Sequence, residues 1–352
     1  MTLLSLASAI AFSPSRGTGT ELQEGDLRIG LLESSGPLAE DLAQGAKLAV
    51  EELNTGGGVD GRRIELFLLP RSRGPWRDGA SSMAELVYEK ELVALIGPTT
   101  RANAHLAAQV ATKKGIPVVT LSFGRSITRV MDPWIFRGVP EDDEQARALL
   151  RWAFSEPEEK WVVLVVPEGR DGEARLGSLG RACTAVGVRV AETVRASERA
   201  AQDLGGIDAM RADAILLWLD VQPALLFLRG QRRLLYGKKI LGSLRLDNEE
   251  FMGRAPSSAE GLALPMLRSD SGWSLGNVLG YDMVHVIATA AETADGRPEL
   301  IRDELLGGDV YSGRSGEFHF DEFGNRRGSF PIGTLRNGKL LRSEGPTYPV
   351  LD

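Results

Sequence analysis

Residues 92–108, LVALIGPTTRANAHLAA, place several hydrogen-bond donors and a cation directly after an apolar run. The run at 92–96 is typical of a buried strand; a Gly-Pro pair interrupts it, and a helical pattern follows. The hydroxyls of Thr99 and Thr100, the guanidinium of Arg101 and the unpaired N–H groups of a helix start can together hold a carboxylate. The alternative is that the threonines only cap the helix and the arginine lies in solvent.

The residues that usually perform catalysis are not grouped in a recognisable pattern. His105, His285 and His319 do not belong to an HExxH sequence, and none of them lies near a serine elbow. The first strand-to-helix turn, GLLESSGPLAED, lacks both the GxGxxG and the GxxxxGK[ST] patterns that bind phosphates. The lone Cys183 excludes an internal disulfide and a cysteine-based metal site. We therefore expect no enzymatic activity, no cofactor and no metal site.

Composition restricts the class of partner. The chain has 352 residues, 43% of them hydrophobic and 25% charged, which is enough for a sizeable core and two domains. Its formal net charge is -7, and no basic block stands out along the sequence. An acidic surface argues against nucleic acid and anionic membrane surfaces as partners.

Short apolar runs alternate with amphipathic helices from Leu27 onward, in two series that meet near Pro140. Repeated strand–helix units predict parallel sheets with right-handed crossovers, so we expect an α/β fold with two doubly wound lobes. Towards the end, helices at 275–293 and 298–306 precede short strands joined by glycine-containing turns. We expect residues 26–139 and 265–328 in lobe 1, and residues 140–264 and 329–352 in lobe 2.

The first 25 residues contain a short apolar segment at 3–12 that is too short to cross a bilayer. Ala9-Ile10-Ala11 resembles the small-x-small site at which signal peptides are cut, but no Lys or Arg precedes the apolar run. We expect a signal segment and an extracytoplasmic protein, the alternative being a disordered tail. The absence of a nearby cysteine argues against lipid attachment.

Several segments together resemble a known family. LRIGLLESSGPLAEDLAQGAKLAVEELNTGGGVDGRRIEL is similar to the opening of type I periplasmic solute-binding proteins, the Leu/Ile/Val-binding group of ABC importers. ALIGPTT, GIPVVTLS, LGYDMVHVIATA and GEFHFDEFGN follow in the family's order, so the resemblance covers nearly all of residues 27–341. It implies two lobes joined by three crossings, with a ligand held in the cleft and enclosed by hinge closure.

The resemblance also implies site residues. The loops after two strands of lobe 1 would bind a ligand carboxylate through Thr99, Thr100, Arg101, Ser122, Phe123 and Gly124. This chain departs from the family pattern there, because Arg101 replaces a small residue and Gly124 replaces a common threonine. In lobe 2, the loops before predicted helices place Asp171, Asp220 and Arg245 at the cleft, where the acids would hold an ammonium or simply lie in solvent. The loop with Asp171 was expected to precede a helix at 177–187.

The function implied is that of a solute-binding protein that delivers a small polar solute, an amino acid or a carboxylate, to the membrane subunits of an ABC permease. We expect a monomer. The usual pocket tyrosines are missing, and Asp41 stands at one such position, so the solute need not be a branched-chain amino acid. The alternative is a sensory or regulatory module of the same fold that acts on a signalling or cell-envelope partner.

Overall fold

The computed structural model describes residues 25–32, 37–69, 83–85, 87–128, 133–196, 211–268 and 272–348. Residues 1–24 of the predicted signal segment lie outside these ranges. Of residues 78–90, where the sequence pattern also favours a helix, the structure describes 83–85 and 87–90, and residues 83–85 and 87–89 are helical. Within the described residues, no helix is both long and apolar enough to cross a lipid bilayer.

The first lobe is built on a parallel sheet of short apolar strands. In the described part of the chain this sheet has five strands in the order β2-β1-β3-β4-β5. The strands are β1 (Leu27–Leu32), β2 (Ile64–Leu69), β3 (Ala94–Ile96), β4 (Val118–Thr120) and β5 (Ile135–Arg137). Helices α1 (Pro37–Thr55) and α2 (Arg101–Lys114) make two of its crossovers.

The second lobe has a larger mixed sheet. Seven of the described strands form it, in the order β15-β14-β10-β9-β8-β6-β7, and β14 pairs antiparallel with both β10 and β15. The strands are β6 (Trp161–Pro167), β7 (Arg189–Ala196), β8 (Ala214–Leu217), β9 (Lys239–Gly242), β10 (Ala263–Pro265), β14 (Ile332–Arg336) and β15 (Lys339–Arg342). The helices are α3 (Asp142–Ala153), α4 (Gly169–Val186), α5 (Val221–Gly230), α6 (Arg232–Leu235) and α7 (Glu249–Arg254).

The remaining elements return to the first lobe. Helix α8 (Leu275–Thr293) packs against α1 and β3, and α9 (Pro298–Leu306) packs against α8. A small sheet follows, made of β11 (Tyr311–Gly313), β12 (Gly316–Phe320) and β13 (Arg326–Arg327). The chain therefore passes between the lobes after β5, after β10 and after β13. The expected fold of two doubly wound lobes joined by three crossings is confirmed, whereas the residue boundaries of the lobes stay a prediction.

One expectation about the second lobe is wrong. Helix α4 begins at Gly169 and not at residue 177, so Asp171 lies in its first turn and not in a loop. A Cβ atom at Gly172 would lie 1.7 Å from the Pro167 carbonyl oxygen, so this glycine lets the helix start directly against the strand end. An acidic side chain in the first turn also suits the helix dipole. Gly172, in the stretch that was predicted as a loop, therefore serves close packing of the helix on the strand end.

Close backbone contact also sets the distance between α1 and α8. A Cβ atom built on Gly45 would lie 2.0 Å from the backbone oxygen of Asn277. This oxygen belongs to the backbone of α8, so it can move only if the helix moves. We predict that Gly45→Ala lowers the free energy of unfolding by about 2 kcal/mol, because overpacking forces the two helices apart. The measurement is urea denaturation followed by circular dichroism.

The matched control for Gly45→Ala is Gly180→Ala. Gly180 lies inside α4, and a Cβ atom there would have no neighbour within 4 Å. We expect this change to raise the free energy of unfolding by about 0.5–1 kcal/mol through helix propensity. Equal effects of the two changes would contradict a close contact between α1 and α8.

Candidate functional site

The residues predicted from the sequence come together at the cleft between the lobes. A cavity of about 800 Å³ lies there, and its lining includes all nine of them: Thr99, Thr100, Arg101, Ser122, Phe123, Gly124, Asp171, Asp220 and Arg245. The strands of each lobe point their carboxyl ends at this cavity, as expected for ligand sites in parallel sheets. Asp142, Arg175, Ser178 and Arg181 line it as well.

The first wall of the cleft consists of Thr99, Thr100, Arg101, Ser122, Phe123 and Gly124. Thr100 is the N-cap residue of α2, and its hydroxyl oxygen accepts a hydrogen bond from the Asn103 N–H at 3.4 Å. The Thr120 hydroxyl donates to the Pro98 carbonyl at 2.9 Å and accepts from the Ser122 N–H at 3.2 Å. These bonds fix the two loops side by side, with the N-terminus of α2 facing the cavity.

The two departures from the family pattern are linked in space. A Cβ atom at Gly124 would lie 3.1 Å from Cδ of Arg101 and 3.5 Å from its Cγ. The long side chain of Arg101 therefore lies over a position that has no side chain of its own. A threonine at residue 124 would push Arg101 away from its present place.

The second wall consists of Asp171, Arg175, Asp220, Arg245 and Asp142, which alternate in charge. Arg175 is buried and donates to both oxygens of Asp220 at 3.0 and 3.1 Å, and it pairs with Asp171 at 2.5 Å. Arg245 pairs with Asp142 at 2.5 Å, and its Nε lies 3.8 Å from Asp220. The five groups thus form a continuous row in which every acid contacts at least one arginine.

Backbone and indole groups hold this row in position. The Arg175 guanidinium donates to the Trp218 carbonyl at 2.9 Å, and the Trp218 indole N–H donates to Asp142 at 2.8 Å. Trp218 is fully buried, and Asp142 is 3% exposed. Burial by itself would lower the pKa of Arg245, but the carboxylates of Asp142, Asp220 and Asp171 together outweigh it, and the pKa is raised. Arg245 therefore stays protonated at any pH at which the fold is stable.

The walls touch each other at two places. Arg101 Nε of lobe 1 lies 3.5 Å from the Asp171 carboxylate of lobe 2. The guanidinium of Arg245 lies over the ring of Phe123, 4.5 Å from its centroid. The Arg101–Asp171 pair is partly exposed and of the kind that is worth about 1 kcal/mol or less, so a ligand can replace it. The Arg245–Phe123 contact is more buried, and contacts of this kind are worth up to about 2 kcal/mol.

Asp142, Arg175 and Trp218 are members of the site that sequence reasoning missed. Arg175 follows Asp171 by four residues, the spacing of an ion pair on a helix, but its stretch was interpreted as a loop. The predicted helix begins at Asp143 and leaves Asp142 just outside it, and Trp218 belongs to the apolar run 214–219 that was predicted as a strand. The expected role of Asp171 and Asp220 as ammonium ligands stays a prediction, and in the structure both carboxylates bind arginine.

Metal binding has no support in the part of the chain that the structure describes. No group of three or more His, Cys, Asp or Glu side chains there is arranged to hold an ion. Burial raises the pKa of the Cys183 thiol to about 12, so this residue is an unreactive part of the core. Burial lowers the pKa of His105 and of His285, because it disfavours the charged imidazolium. Both histidines lie on helices and outside the cleft lining.

Comparison with known proteins agrees with this geometry. A family model described as periplasmic binding protein matches residues 27–267, more than half of the chain. The chain belongs to the periplasmic binding protein family. This binding protein is 27% identical to the Leu/Ile/Val-binding protein BraC3 of Rhizobium johnstonii over 173 residues, which are 48% of the chain. The match covers 45% of the length of BraC3, so the chain spans about half of that relative.

Solved structures share the fold over most of the chain. The branched-chain amino acid transporter substrate binding protein LivJ of Streptococcus pneumoniae, in complex with isoleucine, has a TM-score of 0.74 at 24% identity. That comparison covers 92% of the binding protein and 99% of LivJ. An ABC-transporter solute binding protein of Rhodopseudomonas palustris, in complex with 3,4-dihydroxy benzoic acid, has a TM-score of 0.75 at 17% identity and covers 94% and 99% of the two chains. These likenesses concern the fold.

A cluster of buried charges joins two of the crossings. Fully buried Arg137, at the end of β5, pairs with Glu141 at the start of α3. Arg327 of β13 pairs with Glu144, whose other carboxylate oxygen accepts the Glu141 N–H at 3.0 Å. Burial and the nearby charge of Glu141 raise the pKa of Glu144 from 4.5 to about 7, while Arg327 acts in the opposite direction.

We predict that Glu144 makes the binding protein less stable as the pH rises. Its pKa is raised by folding, so the folded state binds the proton more tightly, and this stabilisation is lost between pH 4.5 and about 7. Between pH 5 and pH 8 the loss is about 2 kcal/mol. Glu144→Gln keeps an oxygen for the Glu141 N–H and removes the titration. Between pH 5 and pH 8, the free energy of unfolding of this variant should therefore fall by about 2 kcal/mol less than that of the wild type. Parallel pH profiles of wild type and variant in urea denaturation would contradict the prediction.

Proposed function

We propose that this protein is the extracytoplasmic solute-binding component of an ABC importer and that it binds a small carboxylate-bearing solute, an amino acid or a simple carboxylate. One observation carries the proposal: all nine residues expected at a ligand site line a single interlobe cavity. Its volume of about 800 Å³ lies in the range of small-molecule sites. The protein acts by binding and release, with no catalytic step.

The first wall supports carboxylate binding. It combines the N-terminus of α2, the hydroxyls of Thr100 and Ser122 and the guanidinium of Arg101, all of which favour a negative group. The solutes in the two solved relatives, isoleucine and 3,4-dihydroxy benzoic acid, both carry a carboxylate. A carboxylate is therefore the common feature to test first.

A solute in the cleft contacts both lobes, and this favours closure of the lobes. Arg101 and Arg245 each contact the opposite wall at the cleft, through Asp171 and Phe123. A solute that takes over these contacts binds both lobes at once and favours the closed state by its differential affinity. Small-angle X-ray scattering should show a smaller radius of gyration with solute than without it.

We predict that Arg101→Ala weakens carboxylate binding by roughly 10-fold to 100-fold, because a charged hydrogen bond contributes about 1.5–3 kcal/mol. Isothermal titration calorimetry with a panel of carboxylates measures the effect. The control is Arg151→Ala, which removes an exposed arginine at the end of α3 and outside the cleft lining. Unchanged affinities in Arg101→Ala would remove this residue from the site.

The importer role has its own test. Loaded binding protein should stimulate ATP hydrolysis by the cognate permease in proteoliposomes, and the empty protein should do so less. Solute binding without any stimulation would favour the alternative of a sensory module.

A further inference from the structure

We infer that the cleft selects solutes that carry a carboxylate and lack an ammonium group, such as 2-oxo acids and simple organic acids, over α-amino acids. The inference rests on the proposed function and narrows its solute class. It comes from the state of the acidic groups in the second wall.

An amino acid needs an acceptor for its ammonium group, and the acids of the second wall are already engaged. Asp142 receives hydrogen bonds from Arg245 at 2.5 and 3.2 Å and from the Trp218 indole N–H at 2.8 Å. Asp220 receives both of its bonds from Arg175, and Asp171 lies between Arg175 and Arg101. Asp220 and Asp171 keep exposed carboxylate surface, at 61% and 45% exposure, but each of them contacts two arginines. An entering ammonium would therefore meet carboxylates whose charge is already balanced, with guanidinium groups beside them that repel it.

The remaining acid of the lining is also engaged. Among the described residues around the cavity this is Glu250, at the start of α7. Its carboxylate binds Arg254 at 2.9 Å and the side chain of Gln222. Glu250 therefore offers an ammonium group no better site than the second wall does.

The balance of charge at the cleft points in the same direction. Of the described residues that line it, five are arginines and four are acids, and the arginines that are not in the row are Arg101, Arg125 and Arg181. Arg101 contacts its acid at 3.5 Å, and Arg181 lies 3.7 Å from Asp143. Arg125 lies 3.7 Å from Asp143 and 3.8 Å from Glu141. These longer pairs leave guanidinium donors for an anion, whereas an ammonium group would meet like charge.

The two walls also differ in the charge at their helix N-termini. Asp171 lies in the first turn of α4, and Asp220 is the N-cap residue of α5, so a protein carboxylate stands at each of these two helix N-termini of the second lobe. The N-terminus of α2 in the first lobe has no acidic side chain in its first turn. The anionic end of a solute therefore has one preferred place, beside Thr100 and Arg101.

The body of the solute meets apolar groups. Phe123, Leu38, Ala174, Val221 and Pro223 line the same cavity. Arg245 covers the Phe123 ring, and its planar guanidinium stacks equally well on a flat solute. The cleft therefore fits a carboxylate on an apolar or planar body.

Matched pairs of solutes test the inference directly, because each pair differs only in the amine. The pairs are 4-methyl-2-oxopentanoate with leucine, phenylpyruvate with phenylalanine, and 2-oxoglutarate with glutamate. Titration calorimetry of the full chain at neutral pH should show that the oxo acid of the preferred pair binds at least about 30-fold more tightly than its amino acid.

A variant adds a second measurement. Arg245→Met removes the main partner of Asp142 and frees an acceptor, so the preference for the oxo acid should fall from about 30-fold towards parity. The control Arg151→Ala should keep the full preference. If Arg245→Met fails to fold, the comparison of pairs in the wild-type protein still decides.

The outcomes separate the two proposals. An amino acid that binds as tightly as its oxo acid, or more tightly, would overturn the inference and leave the solute-binding function standing. Binding of neither member of any pair would overturn the proposed function and the inference with it.

Discussion

The buried guanidinium of Arg175 is the interaction on which the geometry of the cleft depends. It reaches the Trp218 carbonyl at the end of β8, Asp220 at the start of α5 and Asp171 in the first turn of α4. One side chain therefore connects the ends of three elements that would otherwise be held only by their own packing. Because Arg175 is itself buried, the loss of the acids around it would leave an uncompensated charge.

This row also determines what the cleft can hold. In a doubly wound fold, the N-termini that surround a site attract anions, and any acid placed among them competes with the solute. Here the N-termini of α4 and α5 in the second lobe carry Asp171 and Asp220, which pair with Arg175 and, for Asp220, also with Arg245. The first lobe keeps its N-terminus for the solute, with Arg101 lying over Gly124. The two walls therefore differ in chemistry although both lobes follow the same plan.

Much of this arrangement could be predicted from the sequence, because alternation of strands and helices fixes where the carboxyl ends of the strands meet. Thr100 and Asp220, far apart in the chain, lie at one cavity for that reason. The pairing of charges could not be predicted. Whether Asp171 meets a solute or Arg175 depends on where α4 begins, and that start depends on the close contact of Gly172 with Pro167, which only the folded structure shows. The link between Arg101 and Gly124 likewise depends on two loops that only the folded sheet brings together.

Native mass spectrometry of the protein, purified without a refolding step, tests the central claim most directly. The account predicts an additional mass that is released on denaturation and identified as a carboxylic acid without an amine. A co-purified amino acid, or a bare protein that stays bare after incubation with the oxo acids, would contradict it.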